Sequence, residues 1–179
     1  MERCPDVWFV LKLEKKWFES TQIVAHALGA NPDNLVFVHN VTEGINCAIK
    51  SILLTSKDAV MVTNHTYGAV RNTVDYFTNK VGSRVVTLNI PFPIKSEQEI
   101  CQTYSDVLAM NPDIKVAVID HITSASALLM PVEDIVKICK QHGVLTLIDG
   151  AHAPGQLPLR IESIGADFYA GMKVAAEMA

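Results

Sequence analysis

Five apolar runs punctuate the chain: LVFV at 35–38, AVMV at 59–62, VVTLNI at 85–90, VAVID at 116–120 and VLTLI at 144–148. They are continuous rather than alternating in polarity, which is the pattern of strands covered on both faces. Between them, helical segments are predicted over 42–54, 66–79, 97–110 and 131–142. The last is the clearest. Pro131 opens it, Glu133 and Asp134 fall in its first turn, Val132, Ile135, Val136 and Cys139 share one face, and Gly143 ends it. A further helix over 7–28 carries Trp8, Trp17, Phe18, Ile23 and Val24 and closes at Gly29. This alternation predicts an α/β fold, a mostly parallel sheet with right-handed crossovers and helices on both faces. No repeat, low-complexity tract or clear linker interrupts it, so one domain or a large piece of one is expected.

Composition excludes more than it selects. With 179 residues, 49% hydrophobic and 19% charged, the chain can bury a substantial core. A net charge of -4 argues against nucleic acid as a partner, because phosphate contact wants a basic face. Lys12, Lys15 and Lys16 form a short basic run that reads as a solvated helix face. No apolar run is long enough for a membrane span, and the first residues lack a signal pattern. Cys4, Cys47, Cys101 and Cys139 are far apart and form no CxxC, so free thiols in the cytoplasm are expected.

In a parallel sheet a ligand lies beyond the carboxyl ends of the strands, and four strand exits here are chemically loaded. The first, HNVTEGIN, sets Thr42, Glu43 and Gly44 at a helix start, where free amides and a hydroxyl suit a phosphate. Thr42 as a plain helix cap is the alternative, and Glu43 could contribute only its backbone. The second exit, TNHTYGA, offers the flat rings of His65 and Tyr67, either for an aromatic ligand or simply for packing. The third is HITSAS. The fourth, DGAHAPG, puts Asp149 at the end of a buried strand, where an isolated charge is costly. A protonated ring nitrogen would partner it, and His152 could donate to an oxygen on the same ring. A local turn capped by Asp149 is the competing account. A metal held by Asp149, His152 and His121 would need further ligands, so none is assigned. GxSxG, GxxxxGK[ST] and a strand-following GxGxxG are all missing from the sequence.

The segments VFVHNVTEGIN, VTNHTYGAVRNT, IDHITSASALLMPVEDIV, HGVLTLIDGAHAPGQLPL and GADFYAG, in this order from about Pro5 to Gly171, resemble class V aminotransferase-type enzymes. These depend on pyridoxal phosphate (PLP), and the nearest branch is that of the isopenicillin-N-epimerase-like proteins, related to cysteine desulfurases and kynureninases. The resemblance implies part of the large, PLP-binding domain of that fold. It implies that Asp149 pairs with the pyridinium nitrogen, with His152 beside the ring oxygen and Ser124 near that oxygen or the phosphate. Thr42 and the backbone of Glu43 would hold the phosphate, and Tyr67, or else His65, would stack on the ring. The partners implied are an amino-acid substrate and a second copy of the chain.

The family's Schiff-base lysine falls at the position of Ala175. Lys173 stands two residues early and lacks the histidine that normally precedes that lysine, yet it is the one catalytic candidate. The resemblance also implies a truncated chain without the small C-terminal domain, where the substrate-carboxylate arginine normally lies. Two functions are therefore expected: the cofactor domain of a lyase, epimerase or desulfurase, or a non-catalytic product of the same fold acting by binding or through a partner.

Overall fold

The computed structural model describes residues 4–171. Five strands form one sheet: β1 (Ala59–Thr63), β2 (Arg84–Leu88), β3 (Ile114–Asp120), β4 (Leu145–Gly150) and β5 (Phe168–Gly171). Their order is β2-β1-β3-β4-β5, and every pairing is parallel. The helices are α1 (Leu13–Leu28), α2 (Val41–Ser51), α3 (Gly68–Val81), α4 (Glu97–Met110), α5 (Val132–Gln141) and α6 (Ile161–Ile164), with a π-helical stretch, Val7–Lys12, leading into α1.

The continuous apolar runs are explained by two-sided cover. Because side chains alternate along a strand, Val60, Val62, Val116, Val118 and Leu147 face one way, against Val41, Ile45 and Ile49 of α2 and Val70 and Val74 of α3. Met61, Ala117, Ile119 and Ile148 face the other, against Ile100, Tyr104 and Leu108 of α4 and Ile135, Val136 and Cys139 of α5. β1 is buried at every position, and β3 and β4 at all but one, whereas the flanking β2 and β5 are mostly half-buried or exposed.

The sheet grows from β1 to β2 on one side, then crosses back to add β3, β4 and β5 on the other. The switch point therefore lies at the carboxyl ends of β1 and β3, where open α/β sheets bind ligands.

Two expectations need correction. The run at 35–38 is extended but belongs to no strand; its residues alternate between half-buried and exposed, with Val36 78% accessible. Phe37 packs edge-on against Trp17 of α1 at 5.1 Å, so the segment is held by side chains rather than by a ladder. Conversely, FYAG forms β5, which no apolar run announced.

A polar clip fixes that short strand. Asp167 Oδ2 accepts from the amide (2.8 Å) and hydroxyl (2.9 Å) of Thr146 on β4, and Thr146 Oγ1 accepts from the Asp167 amide at 3.1 Å. Further along, the Tyr169 hydroxyl bonds His121 Nδ1 at 2.9 Å, and its ring passes over Gly150, where a Cβ would collide with it. Gly150 is thus required by close approach rather than by a special backbone angle. Among the described residues no helix is long and apolar enough to cross a membrane.

Candidate functional site

Most of the strand exits converge. A cavity of about 280 Å³ at the switch point is lined by Asn40, Val41 and Thr42 from the start of α2, Tyr67 after β1, Asp120, Ile122 and Ser124 at the end of β3, and Asp149, Ala151 and His152 at the end of β4. That volume stands near the lower end for ligand cavities, ~300 Å³. A wider groove of about 420 Å³ lies between α5 and residues 157–164. Its acidic side chains Glu97, Glu133 and Asp134 are exposed, and of the strand-exit residues it touches His121.

The start of α2 is built to leave donors free. Asn40, not Thr42, is the cap: its side-chain oxygen accepts from the Glu43 amide at 2.8 Å. The Glu43 carboxylate turns away, accepting from the His39 amide at 2.7 Å and meeting His39 Nδ1 at 2.8 Å, which holds it below the ordinary carboxylate range. Glu43 therefore does not line the cavity, and its amide is already bonded. The amides of Val41 and Thr42 occupy the first two helical positions, which have no intrahelical acceptor, and both residues line the cavity. With the positive end of the helix dipole behind them, they suit an anion.

Tyr67 and His65 part company in the structure. The turn between them is fixed by Thr66 Oγ1 accepting from the Thr63 amide (2.9 Å), and by Asn64 exchanging two hydrogen bonds with Ile90 at 2.9 and 3.1 Å. Tyr67 reaches the cavity and is half-exposed. The His65 ring is held elsewhere, its Nε2 against the Ile90 carbonyl at 3.2 Å and its Nδ1 against the Ser126 hydroxyl at 3.0 Å. Ser126 in turn bonds Thr123, so His65 braces the 123–128 turn that presents Ser124.

Asp149 caps the local turn with one of its two oxygens. Oδ1 caps a turn by accepting from the Ala151 amide at 3.0 Å, while Oδ2 has no hydrogen bond among the described residues. The residue is 5% accessible, and burial raises its carboxyl above the ordinary value against the pull of the Ala151 amide and His152. Beside it stands a residue that sequence reasoning passed over. Asp120 is paired in register with Asp149 across β3 and β4 and is 3% accessible, and its Oδ2 is buried with no partner among the described residues. Burial, and then the charge of Asp149, push its carboxyl up to about 7.

The strand-final Asp of VAVID was the available signal, but its weight comes from the register with IDG. His121, the next residue, points to Tyr169 instead, and burial lowers its pKa. No group of three or more His, Cys, Asp or Glu among the described residues is gathered for a metal ion. Lys173 lies outside the described residues.

The site is thus an anion-ready helix start, a tyrosine ring and buried carboxylates on one cavity, at a parallel sheet's switch point. The profile of the Aminotransferase class-V family matches residues 11–172. The chain belongs to that family. Among curated relatives, the putative L-cysteine desulfhydrase 2 of Oryza sativa subsp. japonica is 33% identical over 93% of this chain, which covers 38% of that protein. The isopenicillin N epimerase of Streptomyces clavuligerus is 28% identical over 86% of this chain and 38% of its own length. The chain spans about two fifths of the length of these relatives. Among solved structures, a C-DES mutant with glycine covalently linked to its PLP cofactor superposes with a TM-score of 0.78 at 17% identity, over 91% of this chain and 43% of that one, showing a shared fold. The apo cysteine desulfurase of Thermococcus onnurineus NA1 gives 0.73 at 20% identity, over 88% and 38%.

Proposed function

We propose that this class-V aminotransferase chain is the PLP-binding part of an enzyme that transforms an amino acid, of the lyase, epimerase or desulfurase kind. The observation that carries the proposal is Asp149: a buried strand-end carboxylate with one oxygen unbonded among the described residues, on the same cavity as the Val41 and Thr42 amides at the first two positions of α2. These residues fit PLP, which has a cationic ring nitrogen at one side and a phosphate at another. When bound, PLP supplies an electron sink for chemistry at an amino-acid α-carbon.

The chain's own residues have distinct tasks. Asp149 holds a proton on the ring nitrogen, and its turn bond to Ala151 keeps the carboxylate oriented. Thr42, with the Val41 amide, takes the phosphate. Glu43, whose amide is bonded to Asn40, contributes by bracing the helix start through His39. Tyr67 covers a face of the ring and excludes water from it. Ser124 and His152 serve the ring-oxygen side, and His65 acts by holding the turn that carries Ser124. The substrate is a small molecule of the amino-acid class, and the partner a second copy of the chain; Phe9, Val10, Leu11, Trp17 and Ile23 remain exposed as apolar surface of the kind a partner covers. Four unpaired cysteines suit a cytoplasmic setting.

Lys173 is the candidate for the covalent link to PLP. The placement of the family's lysine at Ala175 favours a second reading, a chain of the same fold that binds without catalysing. The test is titration of the whole chain with PLP, then borohydride reduction and mapping of the label by mass spectrometry. Saturable binding that weakens about tenfold to a hundredfold in Asp149→Asn, as loss of a charged hydrogen bond predicts, supports the cofactor site; absence of saturable binding overturns it. A stoichiometric adduct at Lys173 favours the enzyme, and binding with no such adduct favours the second reading.

A further inference from the structure

We propose that Asp120 and Asp149 form an electrostatically coupled carboxyl pair, in which Asp120 carries the proton and acts as a positioning residue that leaves a single negative charge, on Asp149, for the ligand. As a statement about PLP this rests on the cofactor site proposed above; as a statement about the two carboxyls it stands on the geometry of the strand ends.

The pairing follows from the sheet. β3 and β4 are adjacent parallel strands with Asp120 opposite Asp149. Neighbouring strands lie about 4.8 Å apart and residues in register point to the same face. Both side chains line the cavity, and both are buried. No lysine or arginine among the described residues forms an ion pair with either, since the ion pairs of the structure lie elsewhere. Two carboxylates facing one cavity from adjacent register positions in a poorly solvated site disfavour each other's charge, so one keeps its proton.

The surroundings decide which one. Asp149 has the Ala151 amide on Oδ1 and His152 nearby, both of which favour its charged form. Asp120 has an oxygen with no partner among the described residues, and the Tyr67 amide and Thr66 hydroxyl only partly offset burial and the repulsion of Asp149. The other titratable groups around the pair supply no cation: His121 is buried against Tyr169, and burial disfavours its charge, while Tyr169 of β5 and Tyr104 of α4 are themselves held protonated by burial. His65 is occupied by Ile90 and Ser126. The proton therefore belongs on Asp120. A protonated Asp120 keeps the cavity from presenting two negative charges to a ligand that is itself an anion at its phosphate end, and it leaves Asp149 as the unshared partner of the ring nitrogen.

The experiment is a pH titration of the ligand-free whole chain labelled with ¹³C at the aspartate carboxyl carbons, the two signals being assigned through Asp120→Asn and Asp149→Asn. The expected result is one signal that titrates near neutrality in the wild type, disappears in Asp120→Asn, and moves to lower pH in Asp149→Asn once the repelling charge is gone. An Asp120 signal titrating in the ordinary carboxylate range, or unmoved in Asp149→Asn, would overturn the pair.

A second arm uses 4′-deoxypyridoxine 5′-phosphate, which binds without forming a covalent link, at about pH 6. Asp149→Asn is expected to lose at least tenfold in affinity and Asp120→Asn less than that. An equal or larger loss in Asp120→Asn would show that the charge resides on Asp120 and sink the proposal. If the wild type does not bind the probe, the cofactor site fails by itself, and the titration still decides the pair.

Discussion

The two ends of the sheet treat their polar groups in opposite ways. At the amino end, carboxylates are matched. Asp113 grips Arg84 through two short bonds of 2.6 and 2.7 Å; Asp58 accepts from the Thr55 amide and hydroxyl at 2.6 and 2.8 Å; Asp167 is clipped to Thr146. At the carboxyl end, Asp120 and Asp149 are more deeply buried and each has an oxygen without a hydrogen bond among the described residues. Buried polar groups are ordinarily satisfied, so an exception asks for an explanation. Among the described residues, the buried carboxylates that are exceptions stand with the helix-start amides around one cavity, whereas Ser83 Oγ and the Tyr104 hydroxyl lack partners away from it. The amino end spends its polar groups on register, and the carboxyl end holds its own in reserve for a ligand.

The contrast predicts opposite responses to pH, and the largest effect belongs to the carboxyl end. Asp120 is raised from 3.8 to about 7 by burial and by Asp149. A raised carboxyl favours the folded state at pH below its unfolded value, and that contribution is lost as pH rises through about 7. At about 1.36 kcal/mol per pKa unit the span amounts to at most on the order of 4 kcal/mol. Asp113, lowered by Arg84, and Asp58, lowered chiefly by the Thr55 hydroxyl, have the reverse sign: they stabilise above the ordinary carboxylate range and stop doing so on acidification. His121 opposes Asp120 in part, because burial lowers its pKa and its neutral form favours folding as pH rises through its unfolded value. The clean measurement is therefore a difference. Urea unfolding of wild type and Asp120→Asn between about pH 5 and 8 should show the wild type losing stability relative to the variant as pH rises. Parallel curves would remove the strain assigned to the carboxyl end.

A smaller effect is expected where the two ends are coupled through β5. Tyr169 reaches from that strand across Gly150 to His121, so a methyl group at position 150 lands on the ring. Gly150→Ala should destabilise by about 3 kcal/mol, the upper range for overpacking a filled site. Gly68, at the start of α3, has no atom within 4 Å of an added Cβ, and Gly68→Ala should stay within about 0.5 kcal/mol. Equal denaturation midpoints for the two variants would mean that the ring does not need the glycine.

What could be read from the sequence follows the same division. The three central strands announced themselves because burial on both faces leaves no polar alternation, and α5 did so through Pro131, its acidic first turn and Gly143. LVFV looked like a strand because apolar continuity was its only evidence, whereas membership of a sheet depends on a neighbour, which periodicity does not report. β5 was missed because three half-buried residues and an exposed glycine make no pattern; its anchors, Asp167 and Tyr169, act across strands. Exits of the central strands could be listed from sequence, and Tyr67, Ser124, Asp149 and His152 from them meet on one cavity with Thr42, which comes from the start of α2 rather than from a strand. Asp120 escaped because a strand-final aspartate looks ordinary until register sets it beside another. Thr42 looked like the cap because the stronger one, Asn40, lies two residues earlier.

A loss smaller than that of Gly150→Ala tests the division most directly. Asp167→Ala removes both acceptor contacts with Thr146, whose amide would then be buried without a partner, since Thr146 is fully buried. An unsatisfied buried donor costs about 1–3 kcal/mol, so a loss near 2 kcal/mol is expected in urea unfolding. Asp167 lies at the start of β5, away from the cavity lining, and its work is to hold that strand on β4. Affinity for 4′-deoxypyridoxine 5′-phosphate in the folded variant should therefore change far less than in Asp149→Asn. If Asp167→Ala weakened the probe as much as Asp149→Asn does, the amino end would be part of the binding machinery. Register and ligand would then be one task rather than two.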